Sequence, residues 1–236
     1  MAESKKNAKL VEFGNQKGGV GKSTLASMLA NYLLNVKSSE VIVIDCDDMQ
    51  RSLNEERARE LAIITKENPK FDFNSIYKIV KITSKEFPKY YYENLKNEFD
   101  IVIVDFPGNI KQEGVISSHS ICDVIIVPFN LTGKDIASTQ LFINECRDKI
   151  ENFRLKAGLP EQKMFGLLAK VETSSIEYKE YLGGYREQIE QKLGFPMLDN
   201  IMPYNRVAFQ RNASTINVYD DKQEYKALCE EIISKI

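Results

Sequence analysis

The sequence predicts a doubly wound α/β fold with a mostly parallel sheet and helices on both faces. Three runs support this prediction, because residues 41–44, 101–104 and 124–127 consist entirely of valine and isoleucine. Such runs suit strands that are covered on both faces, as in a parallel sheet between two helical layers. Helical patterns separate the runs, and this alternation favours right-handed crossover units.

The remaining elements follow from the same periodicities. Apolar runs at 10–13 and 165–169 predict two further strands, and the helix after Lys22 places leucines on one face. Residues 66–100 are the least regular part of the chain, and an insertion there is one interpretation. We expect residues 1–236 to form a single domain. The other helices are predicted at about 50–66, 84–98, 132–157, 174–192 and 220–236.

Composition excludes several classes of protein. The formal net charge of the 236 residues is −2, so overall charge gives no indication of nucleic-acid binding, although a local basic patch stays possible. The four cysteines form no CxxC pair, which argues against a metal or disulfide framework and favours a reducing cytoplasm. The N-terminus lacks an apolar signal segment, and no run approaches the roughly 18 apolar residues of a spanning helix.

The strongest motif is a glycine-rich loop at residues 17–24 (KGGVGKST), between the strand at 10–13 and a helix. Glycines let successive backbone N–H groups turn towards an anion, and the helix N-terminus adds unsatisfied donors. Lys22 is expected to neutralise the β- and γ-phosphates of ATP, and Ser23 to bind Mg²⁺. The expected phosphate contacts are Gly18, Gly19, Val20, Gly21, Lys22, Ser23 and Thr24.

Carboxylates follow two of the predicted strands. Asp45 and Asp47 end the run at 41–44, and Asp105 ends the run at 101–104. Because the carboxyl ends of parallel strands face the ligand crevice, these acids need a positive partner there, such as Mg²⁺ with lysines. Asp105 is expected to hold a Mg²⁺-bound water, and Gly108 to offer the γ-phosphate a backbone N–H. Capping of the next helix is the alternative for Asp45 and Asp47.

These motifs resemble the deviant Walker A ATPases of the ParA and MinD family, whose loop reads KGGxGK[ST]. Gln16 stands where a standard loop has glycine, and Lys17 is the additional lysine. The resemblance implies that Lys17 reaches across a dimer to the partner's nucleotide. It also implies that Asp45 supports the Mg²⁺ hydration shell and that Asp47 orients the attacking water.

Other positions refine the resemblance. Asn15 and Gln16 are typical of ParA-type proteins, and residues 105–108 (DFPG) fit the family's second acidic motif. Family members usually have proline before the glutamine at position 50, where this chain has Met49. Pro203 lies in a segment that resembles the family's stretch near the adenine, so it is expected to line the base pocket.

The resemblance implies a small ParA without a preceding helix-turn-helix domain, similar to a subgroup on conjugative elements. It further implies an ATP-dependent homodimer, slow hydrolysis, non-specific DNA binding and a centromere-binding partner protein, in DNA partitioning. The alternatives are a MinD-like positioning ATPase for a protein or membrane cargo, and a small-molecule kinase, against which Lys17 argues. The apolar face of the C-terminal helix is interpreted as core, and we expect no membrane partner.

Two sets of basic residues are candidates for DNA contact. Residues 66–89 contain six lysines and three acids, and three tyrosines follow them. A second set lies near the C-terminus. An ordinary solvated surface is the alternative for both sets. The members of the second set are Arg206, Arg211, Lys222 and Lys226.

Overall fold

The computed structural model describes residues 6–47, 53–204, 214–216 and 225–236. Within these residues, seven strands form one sheet in the order β3-β2-β4-β1-β5-β6-β7, and every pair is parallel. The strands are β1 (Lys9–Phe13), β2 (Val41–Asp45), β3 (Lys78–Lys81), β4 (Ile101–Asp105), β5 (Val124–Phe129), β6 (Lys163–Val171) and β7 (Met202–Pro203). The predicted fold class is confirmed.

Helices connect the strands and cover both faces of the sheet. Single π-helical segments follow α3 and α6, at Tyr91–Leu95 and Tyr181–Tyr185, and a short 3-10 turn spans Phe73–Ser75. The α-helices are α1 (Lys22–Asn35), α2 (Leu53–Glu67), α3 (Phe87–Tyr90), α4 (Val115–Ile121), α5 (Gly133–Ala157), α6 (Ile176–Glu180), α7 (Arg186–Leu193) and α8 (Lys226–Lys235).

The insertion interpretation of residues 66–100 was wrong. This stretch contains β3, which pairs with β2 at the edge of the sheet. The four residues of β3 carry a lysine at each end, and its pattern is only half apolar because an edge strand needs less burial. The continuous helix predicted at 174–192 was also wrong, because Gly184 at φ 117° interrupts it.

The two faces of the sheet carry separate apolar cores. Leu10 of β1 faces the core beneath α4 and α5, whereas Val11 faces the core beneath α1 and α8. Full burial of such a side chain contributes about 1.5–3 kcal/mol. The prediction that the last helix packs into the core is confirmed, since Leu228, Cys229 and Ile232 are buried. No described helix is long and apolar enough to cross a lipid bilayer.

A buried arginine holds the short described stretch 214–216 against the body of the molecule. The Arg57 guanidinium of α2 donates to the Thr215 hydroxyl at 2.8 Å, to the Thr215 carbonyl at 2.6 Å and to the Tyr77 carbonyl at 2.7 Å. Glu60, one turn further along α2, accepts the Thr215 backbone N–H at 2.8 Å. From α1, Asn31 donates to the Ser214 carbonyl at 3.2 Å. Both helices therefore contact this stretch.

We expect Arg57→Leu to lower the free energy of unfolding by about 2–4 kcal/mol, because buried acceptors would lose their donor. Chemical denaturation measures this change. Arg59→Leu is the matched control, since Arg59 is exposed and, within the part of the chain that the structure describes, forms an ion pair with Glu56 one turn away. Its effect should stay within about 0.5 kcal/mol, and equal losses in the two variants would contradict the assignment.

Candidate functional site

The register of the sheet brings the predicted motifs together at one edge, the one formed by the carboxyl ends of the strands. β4 pairs with both β1 and β2, and Asp45 lies directly opposite Asp105. The glycine-rich loop leaves β1 at the same edge, because all these strands run in parallel. The side chains that the sequence predicted to act together are therefore neighbours in the structure.

The loop between β1 and α1 has the backbone of an anion cradle. Gly19 has φ 75° and Gly21 has φ 101°, values that side chains with a Cβ rarely adopt. Gly21 is the N-cap residue of α1, and glycine has no side chain with which to cap the helix. The first N–H groups of α1 are thus available to a phosphate, and the helix dipole favours its negative charge.

Asn15 fixes the entry to this loop. Its side-chain amide donates to the Pro128 carbonyl at 2.9 Å and to the Thr139 hydroxyl at 3.1 Å, and its oxygen accepts the Lys17 N–H at 3.1 Å. The side chain is buried. The sequence marked Asn15 only as typical of a subtype, so this anchoring function was missed.

Asp105 and Ser23 form the centre of the candidate metal site. The Ser23 hydroxyl donates to one Asp105 carboxylate oxygen at 2.5 Å, and the second oxygen is buried without a partner among the described residues. Burial raises the pKa of Asp105 to about 7; the Ser23 hydrogen bond and Lys22 oppose this, and Asp45 and Asp47 add to it. A buried carboxylate with a spare oxygen, beside a hydroxyl, fits Mg²⁺.

Asp45 is fully buried, and its carboxylate accepts two backbone N–H groups of the described residues. One carboxylate oxygen accepts the Asp47 N–H at 3.2 Å, and the other accepts the Asn54 N–H at 3.0 Å, near the start of α2. The capping function that the sequence left open for Asp45 therefore exists. It does not exclude a second function towards a hydrated cation, because each carboxylate oxygen has two lone pairs.

Among the described residues, no group of three or more His, Cys, Asp or Glu side chains would hold a metal on its own. Mg²⁺ keeps several waters in proteins and binds through one or two carboxylates together with substrate phosphates. The residues present fit that mode of binding. Gln50 and the position before it lie outside the described residues.

Gly108 ties the loop after β4 to the phosphate loop. A Cβ at this position would lie 2.7 Å from the Gln16 carbonyl oxygen, a distance that real Cβ atoms do not show. Only glycine allows this approach. The structure does not test whether the Gly108 N–H meets a γ-phosphate, which stays a prediction.

Lys17 forms an ion pair with Asp135, in the first turn of α5 of the same chain. Asp135 is 5% exposed, whereas the Lys17 side chain is 40% exposed. The sequence missed Asp135 because it lies 118 positions away from Lys17. The T-x-x-D pattern that begins at Thr132 and the negative charge in the first turn indicate a helix start, not an ion pair with the loop.

Pro203 lies in β7, where it pairs with Val171 of β6, and its carbonyl accepts the Tyr225 hydroxyl at 3.3 Å. Its position beside an adenine stays a prediction. In the second basic set, Arg206, Arg211 and Lys222 fall outside the described residues, and only Lys226 lies within them.

The seven-stranded parallel sheet and the loop between β1 and α1 define an α/β protein of the P-loop NTPase type. A family model described as the ATPase MipZ matches residues 9–137, which is more than half of the 236 residues. The chain therefore belongs to this family of ATPases. No curated protein matches it in sequence.

Solved structures of ParA and MinD ATPases share the fold. MinD from Aquifex aeolicus has a TM-score of 0.65 at 18% identity, over 96% of both chains. A ParA family ATPase from Chlorobium tepidum has a TM-score of 0.62 at 16% identity, over 96% of this chain and 98% of that one. A putative plasmid partition protein from Borrelia burgdorferi, solved with AMPPNP, has a TM-score of 0.60 at 18% identity, over 97% and 98%.

We expect Gly108→Ala to weaken ATP binding and to lower the free energy of unfolding by about 1–3 kcal/mol, because the Gln16 carbonyl must move to admit the methyl group. Calorimetric titration with a non-hydrolysable ATP analogue and chemical denaturation give the two quantities. Gly133→Ala is the control, since a Cβ there meets nothing within 4 Å. Nucleotide affinity unchanged in Gly108→Ala would show that the loop tolerates the displacement.

Proposed function

We propose that this protein is an ATP- and Mg²⁺-dependent ATPase that dimerises with ATP, hydrolyses it slowly and acts in DNA partitioning. The observation that carries the proposal is the meeting of the uncapped α1 N-terminus with the Ser23–Asp105 pair at one edge of the sheet. Family membership supports the ATPase activity. The nucleotide, the cation, the dimer and the DNA are proposals.

The chain's own groups have distinct functions in this mechanism. Backbone N–H groups of the loop and the Lys22 ammonium bind and orient the phosphates. Ser23, Asp105 and Asp45 would hold Mg²⁺, directly or through water, and the cation would neutralise charge that develops on the transferred phosphoryl group. Asp47 orients the attacking water. Pro203 lines the base pocket.

Lys17 carries the dimerisation part of the proposal. The ion pair with Asp135 keeps its ammonium within its own chain. A function across a dimer interface, as the resemblance implies, requires that Lys17 leave Asp135 for the partner's phosphates. The Lys17 side chain is 40% exposed and partly screened by water, whereas the Asp135 carboxylate is buried and would lose this partner. Asp135 would therefore oppose dimerisation.

The proposed cargo is DNA, contacted without sequence preference, with a centromere-binding protein as a further partner. The plasmid partition protein among the structural neighbours supports this choice. Within residues 66–89, Lys78 and Lys81 on the edge strand β3 are exposed, whereas Lys85 and Lys89 pair with Glu113 and Glu93. Lys66 and Lys70 are exposed as well, so the local positive excess extends from the end of α2 to β3.

Positioning of a protein cargo is the second candidate function. MinD and a MinC:MinD complex, both from Aquifex aeolicus, are among the structural neighbours. The two candidates differ in whether ATP creates affinity for DNA of random sequence. Salt must weaken such binding, since it depends on phosphate contacts.

Light scattering with and without ATP and Mg²⁺, followed by DNA of random sequence, tests the proposed function. We expect ATP to convert monomer into dimer, and the dimer alone to shift DNA in a salt-dependent way. Lys22→Ala should abolish ATP binding, since the phosphates lose their main counter-ion. Nucleotide affinity retained in Lys22→Ala would refute the site. An ATP-dependent dimer that does not bind DNA would favour the protein-positioning function.

Lys17→Ala should bind ATP almost normally but fail to dimerise, whereas Asp135→Asn should dimerise at a protein concentration about three- to tenfold lower than wild type, because Lys17 is released. Sedimentation across a protein titration measures both effects. Glu145→Gln, an exposed acid on the same helix, controls for the change in net charge. ATP-dependent dimers of Lys17→Ala would remove Lys17 from the interface.

A further inference from the structure

Lys170 has a backbone conformation that non-glycine residues rarely adopt. Its φ is 58°, in the left-handed region, near the end of β6. The pairing of β6 with β7 shifts register between Ala169 and Val171, which flank it. Such a conformation costs about 1–3 kcal/mol and persists only where the surroundings enforce it. The sequence predicted no function for this residue.

Hydrogen bonds at both ends of Lys170, to partners among the described residues, hold it at this place. The Asn130 side-chain amide, just after β5, donates to the Lys170 carbonyl at 3.1 Å. At the other end of the residue, the Lys170 ammonium donates to the Gly19 carbonyl of the phosphate loop at 2.6 Å. Burial lowers the pKa of this ammonium, so its approach to the loop also costs solvation. The strained backbone of Lys170 thus places its ammonium group at the Gly19 carbonyl.

We propose that Lys170 is a positioning residue of the phosphate loop, which orients the peptide between Gly19 and Val20 for phosphate binding. No cis peptide occurs among the described residues, so the Gly19 carbonyl and the Val20 N–H point in opposite directions. A carbonyl held outward by Lys170 therefore directs the Val20 N–H to the other side of the loop. Successive N–H groups on one side are what an anion nest requires.

This function depends on the proposed nucleotide site and deepens it. Without a fixed partner, the peptide at Gly19 could rotate, since glycine permits both signs of φ. The carbonyl oxygen would then face the phosphates and repel them. Lys170 contributes order to the loop before the nucleotide arrives, and preorganisation of this kind raises affinity by lowering the ordering cost of binding.

The test compares nucleotide affinity and stability in variants of two lysines on the same strand. Lys163, at the start of β6, also donates its ammonium to a backbone carbonyl, that of Lys235 at 2.9 Å, far from the loop. Lys163→Met and Lys170→Met therefore remove equivalent hydrogen bonds. Calorimetric titration with an ATP analogue and Mg²⁺ gives the affinity, and thermal unfolding without nucleotide gives the stability.

We expect Lys170→Met to weaken binding about tenfold, the lower end for a hydrogen bond from a charged group. Lys163→Met should bind like wild type, and Lys170→Arg should retain most of the affinity. Lys170→Gly separates the loss of the ammonium group from a loss of stability. Glycine removes the backbone strain, so the unfolding temperature should be no lower than that of wild type, yet the variant should bind ATP as weakly as Lys170→Met.

Wild-type affinity in both Lys170→Met and Lys170→Gly would overturn the inference, and the proposed function would stand if Lys22→Ala still lost the nucleotide. Retained affinity in Lys22→Ala would instead overturn the proposed function, because the loop would not be the binding site. A loss of affinity in Lys170→Met together with an equal loss in Lys163→Met would also overturn the inference, since a general effect of β6 would then explain both.

Discussion

The site depends on the parallel pairing of β4 between β1 and β2. This one arrangement places the loop after β1, Asp45 after β2 and Asp105 after β4 at the same edge of the sheet. An antiparallel β4 would carry Asp105 to the opposite edge. The β-branched composition of β2 and β4 is what makes the arrangement stable, because each strand is covered by helices on both faces.

Contacts around the loop come from three directions. Asn15 holds its entry, Gly108 brings the loop after β4 against it, and Lys170 contacts Gly19 from β6. These contacts join segments that are distant in the chain and adjacent in the sheet. The loop is thus supported by its surroundings at Gln16, Lys17 and Gly19, while the N-cap residue of α1 is a glycine without a capping side chain. Rigid support beside open donors is the arrangement that favours anion binding.

The sequence predicted those parts of the molecule that are encoded locally. The loop at 17–24 and the acids Asp45 and Asp105 follow strands of unambiguous composition, so their common edge could be derived. β3 could not be derived, because four residues with lysine at both ends resemble a surface turn. Asp135 and Lys170 were missed for another reason: each acts through one contact with a distant segment, and no spacing in the sequence reveals such a contact.

The hydrogen bonds of Arg57 and Glu60 with Thr215 have a consequence for which substitutions this protein tolerates in evolution. Arg57 donates one hydrogen bond from each guanidinium nitrogen, two to Thr215 and one to Tyr77, and Glu60 on the same helix accepts the Thr215 N–H. A smaller or apolar residue at position 57 would leave the Thr215 carbonyl buried and unsatisfied. Positions 57, 60 and 215 are therefore energetically coupled, and in related sequences they should covary or all be conserved.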